Sequence, residues 1–387
     1  MTEELEKPMR RCTMEEDKDI DDPEKTLVDY FGTTDPGIIR VHIMDDLLDY
    51  NNNDYNEALF PYKAEGPLET PLPTVQEIHA AWQSAVGHYR KALRIGPYCI
   101  KVRTGAAIMR EAENMIYLQK HSTVRTAKLY AAFSSREVDL FDIGEEGGPP
   151  LYHYLIQERI EGFVPLYDLI RDLDLHENRD ALKKISNMMA EQLGRLRDTP
   201  PEDPNHFGRV NGQAYNSWTR AVRFPENRHA PSFGPFTYEG LLERMIHSSN
   251  IESAQNNYGS GGSFTQKELL RHARGPLLDH TTPNDGLPVL SHLDIKDDNI
   301  LVKVTRSKKK GEVRNTVDVE DLVFIDWETL AWMPAWYEPG QSYWLSRESP
   351  FKLWQRFGFG NFRVFGHMNI VSYSYYRTCL DFWALAR

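Results

Sequence analysis

The clearest periodic stretch runs from Asn178 to Arg197, where Leu182, Ile185, Met189, Leu193 and Leu196 recur at three- and four-residue steps. That spacing puts one apolar stripe on a helix, and Thr199-Pro200-Pro201 stops it because proline supplies no N–H to the next turn. A second helical pattern covers 110–119, with Ala112, Met115, Ile116 and Leu118 along one side. Other stretches alternate as half-buried strands do. Tyr98-Cys99-Ile100-Lys101-Val102-Arg103 is one, with a lysine inside it; Tyr152-His153-Tyr154-Leu155-Ile156 is another, running into Gln157–Gly162. Ile300-Leu301-Val302-Lys303-Val304 and Val319 to Ile325 read as a strand pair across a polar loop carrying Arg306, Lys308, Lys309, Lys310 and Arg314. Thr74 is placed to cap a helix over 75–85, just after the boundary signal Pro71-Leu72-Pro73. Residues 256–263 read as a Gly/Ser/Asn-rich loop, and 264–278 return to helix.

This order of elements predicts an α+β protein. A small lobe over about 74–160 would hold an antiparallel sheet and one major helix, and a mainly helical lobe would follow over 161–387. Residues 1–25 are acidic and nearly free of aromatics, the composition of a disordered tail. Residues 26–73 mix aromatic and aliphatic residues with turn formers and read as an extension packed on the body. The formal net charge of −12 lies in this leading part: residues 1–80 carry 20 Asp and Glu against 7 Lys and Arg, leaving the rest nearly neutral. No basic field therefore suits nucleic acid. No apolar run is long enough to cross a membrane, so no membrane partner is expected. The charged N-terminus is unlike a secretory leader. Three scattered cysteines, Cys12, Cys99 and Cys379, fit reduced thiols and a cytoplasmic location.

The chemistry concentrates after residue 290. Ser291-His292-Leu293-Asp294-Ile295-Lys296-Asp297-Asp298-Asn299 reads H-x-D-x-x-x-x-N before an apolar run, and 27 residues beyond Asn299 the run Leu322-Val323-Phe324-Ile325 ends in Asp326. Phosphoryl transfer to a hydroxyl needs a carboxylate to orient the acceptor and take its proton, and oxygen ligands for Mg²⁺. Asp294 suits the first role; Asn299 and Asp326 suit the second. Each alone is weak, since loop aspartates usually cap turns or helices. The order and the flanking strands carry the assignment. Upstream, Lys101 in its strand and Glu111 in the next helix supply the ion pair that such a site uses to hold phosphates, with Glu113 as the alternative partner.

These residues resemble the aminoglycoside-phosphotransferase-like branch of the protein-kinase-like fold. His292-Leu293-Asp294 through Asn299, Ile325-Asp326-Trp327-Glu328, and the strand–Lys–helix–Glu order carry the likeness; Gly234-Pro235-Phe236-Thr237-Tyr238 and the run from Leu241 to Ile246 resemble its fungal members. The resemblance implies a bilobal fold and ATP with Mg²⁺. Asp294 would be catalytic base, Asn299 and Asp326 metal ligands, and His292 a brace of the catalytic loop. It also implies a hinge at Glu158 and Ile160 whose backbone reads adenine. Two departures stand out. The branch usually has Gly where this chain has Leu293, and Lys296 matches the protein-kinase pattern, where the lysine approaches the transferred phosphate. No Gly-x-Gly-x-x-Gly precedes Lys101; Ser84–His88 and Arg94-Ile95-Gly96-Pro97 are the candidates for a phosphate-covering loop. No Walker motif is present. Trp332, Trp336, Tyr337 and Glu338 follow Asp326 closely and either hold an amine-bearing or flat acceptor or pack in the core. The expected activity is transfer of a γ-phosphate to a small-molecule hydroxyl. The alternatives are a protein or macromolecular acceptor, or a non-catalytic scaffold.

Overall fold

A computed structural model of the chain describes residues 23–50, 55–84, 92–140, 148–172, 178–257, 286–308 and 315–338. The tail before residue 23, most of the loop Ser84–His88, the helix expected over 264–278, the tip of the basic loop, Cys12 and Cys379 fall outside them.

The architecture is α+β. Five antiparallel strands form the main sheet, β1 (Tyr62–Lys63), β2 (Leu93–Ile95), β3 (Tyr98–Arg103), β4 (Leu129–Ser135) and β5 (Tyr152–Glu158), in the order β1-β4-β5-β3-β2. In β3 the alternation works as the sequence implies: Tyr98, Ile100 and Val102 are buried on one face, and Lys101 projects from the other. Central β5 is covered on both faces and is apolar along most of its length. One edge was not legible beforehand. Tyr62 and Lys63 of the N-terminal extension pair with Ala132 and Ala131, so the extension completes the sheet.

Two helices open the described chain, α1 (Pro23–Phe31) and α2 (Pro36–Tyr50). Leu27, Phe31 and Ile39 pack with Phe224, Ile251 and Ala254, and Arg228 clasps Asp46 through two nitrogens at 2.8 and 3.0 Å. The start of α2 has a sequence signal: Asp35 accepts from the amides of Gly37 and Ile38, and Pro36 takes the first helical position, where no N–H is needed. Then comes α3 (Val75–Ser84), opened by a reciprocal cap in which Thr74 Oγ1 accepts from the Glu77 amide and Glu77 accepts from the Thr74 amide.

The helix after β3, α4 (Ala107–His121), is buried over most of its length and packs beneath the sheet. Past the sheet, β6 (Phe163–Pro165) leads into α5 (Leu166–Asp172), α6 (Arg179–Arg197) and α7 (Tyr238–Asn257). Ala181, Ile185, Met189, Leu193 and Leu196 are the buried face of α6. Strands β8 (Ile300–Lys308) and β9 (Asn315–Phe324) form a long hairpin with β6 on its edge, while β7 (Pro288–Ser291) pairs with β10 (Ala331–Pro334). The two pairs bracket the catalytic-loop motif. It leaves β7 and enters β8, and the segment with Asp326 leaves β9 and enters β10. One core cluster joins α4, β5, α6, β8 and β9, so the sheet and the helical part share a hydrophobic interior.

Ile185 is fully buried on α6, whereas Lys183 of the same helix is exposed. Ile185→Ala is expected to cost about 2–5 kcal/mol in urea denaturation, against within about 0.5 kcal/mol for Lys183→Ala.

Candidate active site

The lysine of β3 is the centre of an ionic triad. Lys101 Nζ donates to both carboxylate oxygens of Glu111 at 2.7 Å and to Asp326 Oδ1 at 2.9 Å. Burial opposes the charge on Lys101, but the two carboxylates outweigh it and hold its pKa above the ordinary lysine value. Burial likewise works against the Asp326 charge, and Lys101 more than offsets it, leaving Asp326 below the usual aspartate range. Glu113, the other candidate partner for Lys101, points elsewhere and meets Arg209 at 2.6 Å.

The second group lies on the loop between β7 and β8. Asp294 Oδ2 accepts from Lys296 Nζ at 2.6 Å and from Asn299 Nδ2 at 2.8 Å. Asn299 Nδ2 also donates to the Asp294 carbonyl at 3.0 Å. Both partners are acceptors, which fixes the amide's orientation and leaves Asn299 Oδ1 for other ligands. Among the described residues no hydrogen bond reaches Asp294 Oδ1, and the Asp294 side chain is 29% exposed. The Asn299 carbonyl accepts from the Ile325 amide at 3.0 Å, which sets the strand end carrying Asp326 beside the loop.

His292 braces this loop from inside. Its Nδ1 accepts from the Asp294 amide at 3.2 Å, so the proton sits on Nε2, which donates to the Ile325 carbonyl at 3.0 Å. Burial holds its pKa below the ordinary histidine value. A neutral, doubly engaged imidazole is a strut rather than a proton carrier. Thr329 Oγ1 closes the same frame by donating to the His292 carbonyl at 2.7 Å.

Leu293 and Asp326 both take left-handed backbone, φ 64° and 69°. For leucine this conformation is costly, about 1–2 kcal/mol. The strain is held by two contacts. The Leu293 amide donates to buried Glu338 at 2.9 Å, and the Leu293 side chain packs with Phe207, Tyr215, Met333, Trp336 and Tyr337. Trp332, Trp336, Tyr337 and Glu338 are all buried, so of the two fates open to them the core-packing one holds. Burial pushes the Glu338 carboxyl up.

At the hinge, the Glu158 amide donates to the Lys128 carbonyl at 2.8 Å and the Arg159 amide to the Pro97 carbonyl at 2.9 Å. Both are spent within the sheet. Among the described residues the Ile160 amide has no such partner. Gly96-Pro97 is the turn between β2 and β3, bound to Arg159 at the hinge end of β3. Of the two phosphate-loop candidates, this one is therefore a hairpin turn. The residues that sequence reasoning missed are the supports around α4: Asn114 Nδ2 donates to the carbonyls of Trp327 at 2.7 Å and Glu328 at 3.2 Å, and Arg110 meets Glu328 at 3.3 Å. Their signal was a run of polar residues on the apolar side of a helix.

No family model and no curated protein matches the chain. Solved structures do. A thermostable mutant of aminoglycoside phosphotransferase APH(4)-Ia in apo form is 15% identical with a TM-score of 0.42, over 75% of this chain and 78% of that one. A thermostable mutant of the same phosphotransferase in ternary complex with ADP and hygromycin B is 13% identical with a TM-score of 0.45, over 78% and 84%. The parent phosphotransferase is 16% identical with a TM-score of 0.40, over 75% and 79%.

The geometry at Leu293 predicts an inverted order of stabilities. Alanine keeps the left-handed strain and loses the packing, whereas glycine loses the packing but relieves the strain, so Leu293→Gly should be more stable than Leu293→Ala by about 1 kcal/mol in chemical denaturation. The opposite order would remove strain from the account of this turn. A second expectation concerns pH. His292 is depressed in the folded state, so its contribution is intact above about pH 6.5 and is lost as pH falls below that, because the unfolded chain takes the proton first. Denaturation curves at pH 8 and pH 5 should therefore show a smaller loss for His292→Asn than for the native chain.

Proposed function

We propose that this protein is an ATP- and Mg²⁺-dependent phosphotransferase that moves the γ-phosphate of ATP to a hydroxyl of a small molecule. The observation that carries the reading is one arrangement. Lys101 is gripped by Glu111 and Asp326, and beside it Asp294 has one oxygen held by Lys296 and Asn299 and the other open. The combination of a strand lysine, a helix glutamate, a loop aspartate and a strand-end aspartate is that of a protein-kinase-like site.

Each residue then has a task. Lys101, kept protonated by its carboxylates, binds the α- and β-phosphates. The Ile160 amide hydrogen-bonds adenine at the hinge. The acceptor hydroxyl donates to Asp294 Oδ1; its oxygen attacks the γ-phosphorus, the bond to the β–γ bridging oxygen breaks, ADP leaves, and Asp294 receives the proton. Lys296, already at Asp294, meets the charge on the transferred phosphoryl group. Asn299 Oδ1 and the Asp326 carboxylate are hard oxygen donors and fit Mg²⁺, with phosphate and water oxygens completing the shell. When bound, that ion would neutralise phosphate charge.

Asp294→Asn should lower turnover by about 10²–10⁴-fold, the range for a general base, while Mg-ATP still raises the melting temperature as it does for the native chain. A screen of hydroxylated metabolites with γ-labelled ATP, read separately in metabolite and protein fractions, supplies the assay. Full turnover by Asp294→Asn would sink the assignment of the base. No melting shift of the native chain at saturating Mg-ATP would favour a scaffold without catalysis.

A further inference from the structure

Helix α4 carries four polar positions within five residues that are almost fully buried: Arg110, Glu111, Glu113 and Asn114 are at 2, 3, 0 and 0% exposure. Burying so many polar groups is costly unless each is partnered. Glu111 serves Lys101, and Arg110 and Asn114 reach the segment after Asp326. Glu113 does none of these things. Two positions from Glu111, it lies about 200° around the helix and faces the other way.

What it faces is a purpose-shaped turn. Glu113 accepts from Arg209 Nη2 at 2.6 Å, Gln213 Nε2 at 2.8 Å and Asn211 Nδ2 at 3.0 Å. The three donors come from five residues because the chain doubles back there. The Arg209 amide donates to the Gln213 carbonyl at 2.8 Å, and Asn211 and Gly212 are left-handed at φ 59° and 69°. Gly208 is required at its entry, where a Cβ would collide with the Gln213 carbonyl oxygen. The turn is in turn fixed to the strand that follows the active-site segment: the Trp332 amide donates to the Gly208 carbonyl at 2.8 Å, and Tyr215 Oη donates to the Trp332 carbonyl at 2.6 Å. The Asn56 amide adds a longer contact of 3.4 Å to Glu113 from the N-terminal extension.

We infer that Glu113 is a positioning residue for the phosphate-binding lysine: the 209–213 turn grips α4 through Glu113 on the side opposite Glu111 and so fixes the Lys101–Glu111 pair in its working geometry. The inference rests on the roles proposed above for Lys101 and Glu111.

The test separates positioning from mere stability. Acylation of Lys101 by acetic anhydride, quantified by mass spectrometry against exposed Lys183, reads whether the lysine is held. In Glu113→Gln the relative labelling of Lys101 should rise about tenfold, since local opening exposes a buried amine. The value of kcat should fall about 10²-fold, the scale of a misplacement near 1 Å, with a smaller change in the KM for ATP. Glu113→Gln combined with Arg209→Met removes the unpaired buried charge. It should recover the melting temperature while Lys101 labelling stays high, and it carries the test if the single variant fails to fold. Asp46→Asn, which breaks the Arg228 pair on the N-terminal helices, is the control for general destabilisation and should leave labelling unchanged. Labelling that returns to the native level together with the melting temperature would overturn the inference, as would equal labelling in Asp46→Asn. A native chain without Mg-ATP-dependent transfer would count against the functional reading instead, and the labelling comparison would still decide this one.

Discussion

The Lys101 ammonium is the point on which the rest depends. It is one charge on a half-buried strand face, and it takes up carboxylates from two other elements, α4 and the end of β9. A charge in such a place is tolerable only when paired, because the interior gives back little of the hydration lost. The requirement runs both ways. Glu111 is still more deeply buried and needs Lys101, and Asp326 is drawn below its usual pKa by the same ammonium. Strand, helix and hairpin therefore hold a common geometry, and that geometry leaves the Asp326 carboxylate next to the loop that carries Asp294 and Asn299.

Much of this was legible in the chain for a physical reason: the elements that place the chemistry have strong periods. The alternation over 98–103 matched the face Lys101 takes, and the stripe of α6 was plain from Ile185 to Leu196, although Ala181 rather than Leu182 is the buried residue of its first turn. The spacing of Asp294 and Asn299 was visible too, and the two side chains meet on one loop. Less legible were features whose signal is spread over distant positions. Nothing in Tyr62-Lys63 announces an edge strand, since two residues carry no period and their partner lies some seventy residues on. α2 is apolar on most sides and so gives no clear stripe, although Asp35-Pro36 marks its start. The partner of Glu113 could not be read at all. Whether a helical glutamate meets Lys101 or Arg209 depends on the rotation of the helix about its axis, which a ten-residue pattern with mixed polar and apolar positions does not settle.

The departure at Leu293 becomes intelligible through its backbone. The position is left-handed, the conformation that glycine adopts without strain, and the resemblance pointed to glycine there. This chain keeps the conformation with a leucine and offsets the strain by burying the side chain among Phe207, Tyr215, Met333, Trp336 and Tyr337. The same bargain explains the aromatic residues after Asp326. Trp336 and Tyr337 share the Leu293 cluster, Trp332 packs instead in the main core against Tyr117, and Glu338 accepts from the Leu293 amide. A carboxylate and several aromatics close behind Asp326 look like a binding site in one dimension; in three they are buried in the core.

On the proposed function, that assignment narrows where an acceptor would be recognised. Lys296 and Asn299 hold Asp294 Oδ2, so on the proposed reading a hydroxyl would meet Oδ1, and selectivity among hydroxyls would come from groups around that oxygen. Trp332 and Trp336 are buried, so on the proposed reading an acceptor would not owe its selection to cation–π contact with either. In a site of this kind the chemistry is fixed by the framework while the acceptor is chosen by whatever rims the exposed edge of Asp294, and the two can vary independently.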